Sequence, residues 1–234
     1  MKLTTEQIAE LYDFTRKHFV EHYDLQTELV DHLANGIEQQ WSQNPKLSFD
    51  EALNKEFKKF GIFGFSDIVE KRTRTLEKKY WKFLWGTFKT FFGIPKIIAT
   101  IFLIFVVFQI LILSNKFEYF LLIFILPLVH FTIQGYRNQK TYKKKIKKEG
   151  RKWLLEELIF SYGSGLLSLN LFVQILINGR YTFFGEESVK TEYLLLMAIF
   201  ISLFMILSYI IIFHIPKKAE EYLENHYPEY KYSS

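Results

Sequence analysis

Cysteine is absent from the 234 residues. No disulfide framework, thiolate metal site or cysteine nucleophile can therefore be built. Hydrolytic and nucleotide-binding signatures are missing too. The sequence holds no G-x-S-x-G elbow, no phosphate-binding P-loop, no glycine-rich dinucleotide turn and no H-E-x-x-H helix. Ser161-Tyr-Gly-Ser-Gly165 looks superficially like a nucleophile turn, but it lies in an apolar stretch with no identifiable base and reads as packing. No signal peptide is expected, because about ninety residues of charged sequence precede the first long apolar run. These absences favour a non-catalytic protein for which no cofactor is expected.

Long apolar runs are what the sequence does have. Ile97–Leu113 carries no charge, and Gln109 is its one strongly polar side chain. Such a run approaches the length that crosses about 30 Å of hydrocarbon at about 1.5 Å per residue. Each central Leu, Ile, Phe or Val contributes roughly −0.3 to −0.6 kcal/mol to insertion, so a dozen of them outweigh one Gln. Apolar residues make up 49% and charged residues 24%, but the two are segregated, which is why the mean hydropathy of +0.03 hides a polar front and an apolar back. The expected fold is all-α: a small cytoplasmic helical bundle over 1–75, an interfacial amphipathic helix over 76–96, a four-span transmembrane domain over 97–216 and a cytoplasmic tail over 217–234. The spans are read as Ile94–Leu113, Glu118–Tyr136, Trp153–Ile177 and Glu192–Ile215, the last stopped by Pro216. Ser114-Asn-Lys-Phe117 is short enough to force an antiparallel hairpin.

In the front module, Thr4 with Gln7 and Ser48 with Glu51 have capping-box spacing. Leu25, Leu29, Leu33, Ile37 and Trp41 recur every four residues as one apolar stripe, and Asn44-Pro45 ends that helix. The first helix is read with Ile8, Leu11, Tyr12, Thr15 and Phe19 at helical spacing. Two further helices follow, one over Phe49–Phe60 and one capped by Ser66, separated by the turn Gly61-Ile-Phe-Gly64. The run Glu28-Leu-Val-Asp31-His32-Leu33, the segment Ser48-Phe-Asp-Glu51-Ala-Leu53, and Phe60-Gly61 followed by Asp67-Ile68 resemble the helical HAAS-type domain. That domain sits at the front of bacterial membrane proteins linked to PadR-type transcription regulators. Gly61-Ile-Phe-Gly64 is more apolar than the turn usual in that family. The resemblance covers about a third of the chain. It implies an interaction module, a PadR-like regulator as partner, and Glu28, Asp31 and His32 as docking residues. His18 and His22, with Glu28 or His32, also invite a metal reading, against which stands the plainer one of side chains holding two helices together; no metal site is expected.

Before the first span, Lys78, Lys79, Trp81, Lys82 and Trp85 combine cations with aromatics as an interfacial helix needs, so anionic lipid head groups are the expected partner. The same interleaving could bind single-stranded nucleic acid, but directly before a span no direct nucleic-acid contact is expected. Basic residues crowd that approach, the link Arg137–Lys152 and the start of the tail at Lys217 and Lys218. The other side has only Lys116, Arg180 and Lys190. This asymmetry predicts a multi-pass protein of the bacterial inner membrane with both termini cytoplasmic. Gln109, His130, Asn170 and Gln174 form the candidate intramembrane polar stripe. It reads as interhelical packing, with a homo-oligomer contact through the third span left open, or as the lining of a small transporter or lipid-handling pathway.

Overall fold

A computed structural model describes residues 2–113, 117–162, 191–227 and 230. Among the described residues the protein is helical, with no strand. The link at 114–116, most of the predicted third span including Asn170 and Gln174, the loop before the fourth span, and most of the tail's end lie outside them. The chain divides into two compact units, 1–78 with 150–157, and 79–149 with 158–234.

The first unit begins with α1 (Thr5–Lys17), α2 (Tyr23–Gln43) and α3 (Phe49–Lys58). Both capping boxes form: Thr4 accepts from the N–H of Gln7 and Ser48 from that of Glu51, with the reciprocal side-chain bonds in place. Each such cap supplies partners for N–H groups that the first helical turn leaves orphaned. The four-residue stripe of α2 is the core: Leu25, Leu29, Leu33, Ile37 and Trp41 are all buried. Removing a Leu of this kind from water contributes roughly 1.5–3 kcal/mol. Trp41 also donates from Nε1 to the carbonyl of Leu47 at 2.9 Å, which fixes the entry to α3. Phe14, Phe57, Phe60 and Phe65 close the other end as a cluster with ring centroids 4.9–6.3 Å apart, edge-to-face except for the tilted Phe57–Phe60 pair.

Phe19 departs from the sequence expectation. The first helix stops at Lys17, and Phe19 adopts φ 65° and is 90% exposed. The physical reason is that His18 ends the helix by packing on Phe14 and Phe57, while Val20 takes the buried place.

α4 (Ser66–Lys89) is one continuous helix whose residues up to Lys78 belong to the first unit. In the second unit a 3-10 turn (Thr90–Phe92) leads to α5 (Lys96–Leu113) and α6 (Phe117–Glu149). Helix α6 does not stop at Tyr136. It runs on through the basic stretch, because Lys and Gln are good helix formers, and ends at Gly150, whose φ of 68° disfavours any residue with a Cβ. α7 (Leu154–Tyr162) begins within the first unit and ends in the second. α8 (Thr191–Tyr209) continues through a π turn (Ile210–His214) and a last α turn (Ile215–Lys217) before α9 (Ala219–His226).

Helices α5 and α8 pack antiparallel. Val107 and Leu111 meet Met197, Ala198 and Ile201, while Leu103 lies towards Met205. Lys96–Leu113 and Thr191–Lys217 are the two helices among the described residues that are long and apolar enough to cross a membrane. Pro216 interrupts the second. It has no N–H to return to the carbonyl of Ile212 one α turn back. Asn138 of α6 fills that role, donating from Nδ2 to Ile212 O at 2.7 Å while accepting from Gln134 Nε2 at 2.9 Å.

Candidate functional site

Glu28, Asp31 and His32 occupy positions i, i+3 and i+4 of α2, opposite its buried stripe, and all three are exposed. Their spacing follows from the same periodicity that buries Leu29 and Leu33. Glu28 faces Arg72 of α4 at 3.7 Å, and the His32 ring lies 5.4 Å from that of Phe60. Asp31 is left as a solvent-facing carboxylate between them. This surface can accept hydrogen bonds and pair with a cationic partner.

The histidines of the metal reading do other work. His18 and His22 do not share a helix face, because α1 ends at Lys17 and α2 begins at Tyr23. His18 Nδ1 bonds the carbonyl of Phe14 at 2.8 Å, and its ring lies 4.4 Å from Phe57. Nε2 of His22 donates to Glu157 at 2.5 Å.

That last contact opens a cluster that reading the sequence does not find. The segment Arg151–Glu157 is bound to the start of α2 at every turn. The N–H of Tyr23, orphaned at the start of α2, donates to the carbonyl of Lys152 at 2.7 Å. The N–H of Leu154, orphaned at the start of α7, donates to the Asp24 carboxylate at 3.2 Å. Each helix N-terminus thus receives its acceptor from the other segment. Around this exchange, Lys152 Nζ bridges Glu21 at 2.9 Å and Glu157 at 3.0 Å. The Arg151 guanidinium lies 4.4 Å from the Tyr23 ring, and Trp153, fully buried, meets that ring edge-on at 5.3 Å. The hydrogen bond from His22, with Lys152 adding to it against the opposing effect of burial, holds the Glu157 carboxyl below the ordinary carboxylate range. Burial works against the Lys152 ammonium, yet its bonds to Glu21 and Glu157 carry its pKa above the lysine value. Lys152 and Glu157 are five residues apart, close enough to suggest an ion pair from the sequence alone. The structure keeps the Lys152–Glu157 pair and adds His22, 135 residues away.

On α4, Lys78, Lys79, Trp81, Lys82 and Trp85 are all exposed, while Leu76, Tyr80 and Leu84 are buried at every fourth position. Leu84 therefore belongs to the packed face and not to the aromatic row. That row is Trp81, Trp85, Phe88 and Phe92, with Trp85 and Phe88 stacked at 5.4 Å and Lys89 Nζ 5.6 Å from the Trp85 ring.

Of the candidate polar-stripe residues, Gln109 and His130 are among those described. Phe131, next to His130, shares a cavity wall with Thr100 and Leu103, which places His130 level with the first half of α5, whereas Gln109 lies near its end. The His130 ring stacks on Phe213 at 5.4 Å. The two are not brought together in one site.

No protein-family model matches the chain, and no curated protein or solved structure matches it either.

Proposed function

We propose that the chain is a non-catalytic integral membrane protein with a regulatory or sensing role, whose front unit docks a cytoplasmic protein partner. The observation that carries this is the character of α5. Only 17% of its apolar window is buried, and Ile98, Ile101, Phe102 and Phe105 are exposed. A core helix of a water-soluble domain would be covered by its own chain. This one presents hydrocarbon on most of its circumference, which suits lipid. We take the spans as α5, the apolar first half of α6, residues 158–177 and Thr191–Lys217, with the termini and the basic part of α6 on the cytoplasmic side of a bacterial inner membrane. We start the third span after Glu157, later than the Trp153 read from the sequence, a choice supported by the grouping of Gly150–Glu157 with the front unit. The docking surface is Glu28, Asp31 and His32, and the resemblance of the front module makes a PadR-like regulator the partner class to test first.

The experiment separates the two parts of this reading. Membranes are washed with alkaline carbonate, solubilised in detergent, and the tagged full chain is purified with or without Glu28→Ala, Asp31→Ala and His32→Ala together. The chain is expected to stay in the washed pellet and to lose one cytoplasmic partner on substitution. Release by carbonate overturns the membrane reading. A partner set unchanged by the triple substitution overturns the docking reading.

A further inference from the structure

Within the second unit, a cavity of about 290 Å3 lies where α5, α6 and α8 meet the 3-10 turn. Its walls are Phe91, Ala99, Leu103, Phe131, Met205 and Tyr209, with Thr100 at one side. The Thr100 hydroxyl is already bonded to the carbonyls of Phe91 at 3.0 Å and Lys96 at 3.2 Å, so it has no donor left to offer. What remains is hydrocarbon and aromatic surface. A cavity of about 150 Å3 holds benzene, so this one admits an acyl segment of about ten carbons.

The rim of the cavity has the opposite character. Lys96 Nζ lies 4.7 Å from the ring of Phe91, the aromatic wall itself. Because α5 and α8 are antiparallel, the start of one and the end of the other coincide, and Lys217 and Lys218 arrive at the same end as Lys96. His214 stands within electrostatic reach of all three ammonium groups. Lys96, Lys217 and Lys218 are exposed, and none of them forms an ion pair with a carboxylate among the described residues. An apolar slot with Lys96 over one wall, and Lys217 and Lys218 at the same end of the helix pair, is complementary to a molecule with a long hydrocarbon tail and an anionic head.

We infer that this cavity is a binding site for one anionic phospholipid, with an acyl chain against Phe91, Leu103 and Met205 and the head-group phosphate at Lys96, Lys217 and Lys218. The inference rests on the membrane reading above. It adds a specific lipid where that reading requires only a general one. Without these lysines the slot would take any lipid equally; with them at its end it selects by charge. Each lysine engaged is expected to tighten binding about fivefold.

The test uses the full chain in detergent micelles, with native mass spectrometry of bound lipid as the readout. The probes are phosphatidylglycerol and phosphatidylcholine with identical acyl chains, and inorganic phosphate as competitor. The wild type is expected to retain phosphatidylglycerol at least about tenfold more tightly than phosphatidylcholine, and millimolar phosphate is expected not to displace it. K96Q/K217Q/K218Q changes surface side chains only and should abolish the preference. A99W fills the cavity, keeps the lysines, and should weaken both lipids. Equal retention of the two lipids by the wild type, a preference that survives the triple substitution, or displacement by phosphate alone overturns the inference. A chain that needs no detergent to stay in solution overturns the membrane reading instead, so the two failures are distinguishable.

Discussion

Replacing Gly36 by Ala should reverse its effect on stability according to what stands at position 56. A Cβ built at Gly36, in the middle of α2, meets the Glu56 side chain of α3, with Cγ only 2.7 Å away and the carboxylate closer still. Glu56 is buried and accepts from Gln40 Nε2 at 2.8 Å and Lys59 Nζ at 2.6 Å. Two effects compete. Ala is the better helix former by about 1 kcal/mol. Against this, the methyl displaces the carboxylate. The Gln40 bond, made to a charged group, contributes about 1.5–3 kcal/mol. The Lys59 pair adds no more than about 1 kcal/mol, because that lysine is exposed. G36A alone should therefore destabilise α2 by about 0.5–3 kcal/mol. With E56A already present, the methyl enters vacated space and G36A should stabilise by about 1 kcal/mol. Hydrogen exchange of the α2 amides in the full chain measures both, each tenfold change in opening being about 1.4 kcal/mol. Stabilisation by G36A in the wild-type background, or the same sign in both backgrounds, refutes the reasoning.

Other outcomes follow from the same contacts. Since the Glu157 pKa is depressed, its stabilising contribution is complete above the reference value of 4.5 and is lost as pH falls below it; exchange in 150–157 should rise with acid in the wild type and much less in E157Q. W153A removes a fully buried indole and should loosen the start of α2 by about 3–5 kcal/mol, read as local exchange there. N138L leaves the Ile212 carbonyl without its donor and should lower detergent-solubilised stability by about 1 kcal/mol. In a P216A background, where the backbone regains an N–H, the same substitution should matter less.

Much of the first unit can be read from local pattern. Thr4 and Ser48 announce their helices because a cap needs only a side chain three residues from its partner, and the α2 stripe follows from the helical repeat alone. The ends of elements are less legible. Phe19 has the right spacing for the buried face, but the helix stops two residues earlier, where His18 finds an aromatic pocket assembled from α3 and its following turn. The basic stretch after Tyr136 reads as a link by charge, although Lys and Gln favour helix, and helix prevails. What no local pattern shows is pairing across distance. Nothing near His22 points to Glu157, nor anything near Asn138 to Pro216, because those partners are chosen by tertiary packing. In the candidate docking surface the opposite holds: the exposure of Glu28, Asp31 and His32 follows from burying the other side of the same helix.

The discontinuity of the first unit also sets the order in which the protein can be made. Lys78 and Gly150 are separated by about seventy residues of the second unit. At about 5–20 residues per second, a ribosome needs roughly 4–14 s to bridge that interval. Throughout it, α1–α3 are complete, but the N–H of Tyr23 and the carboxylate of Asp24 lack the segment that engages them. The first two apolar stretches, α5 and the start of α6, are synthesised during this interval. The front unit therefore closes only after those stretches have been synthesised, and any partner that recognises its finished form must wait for them.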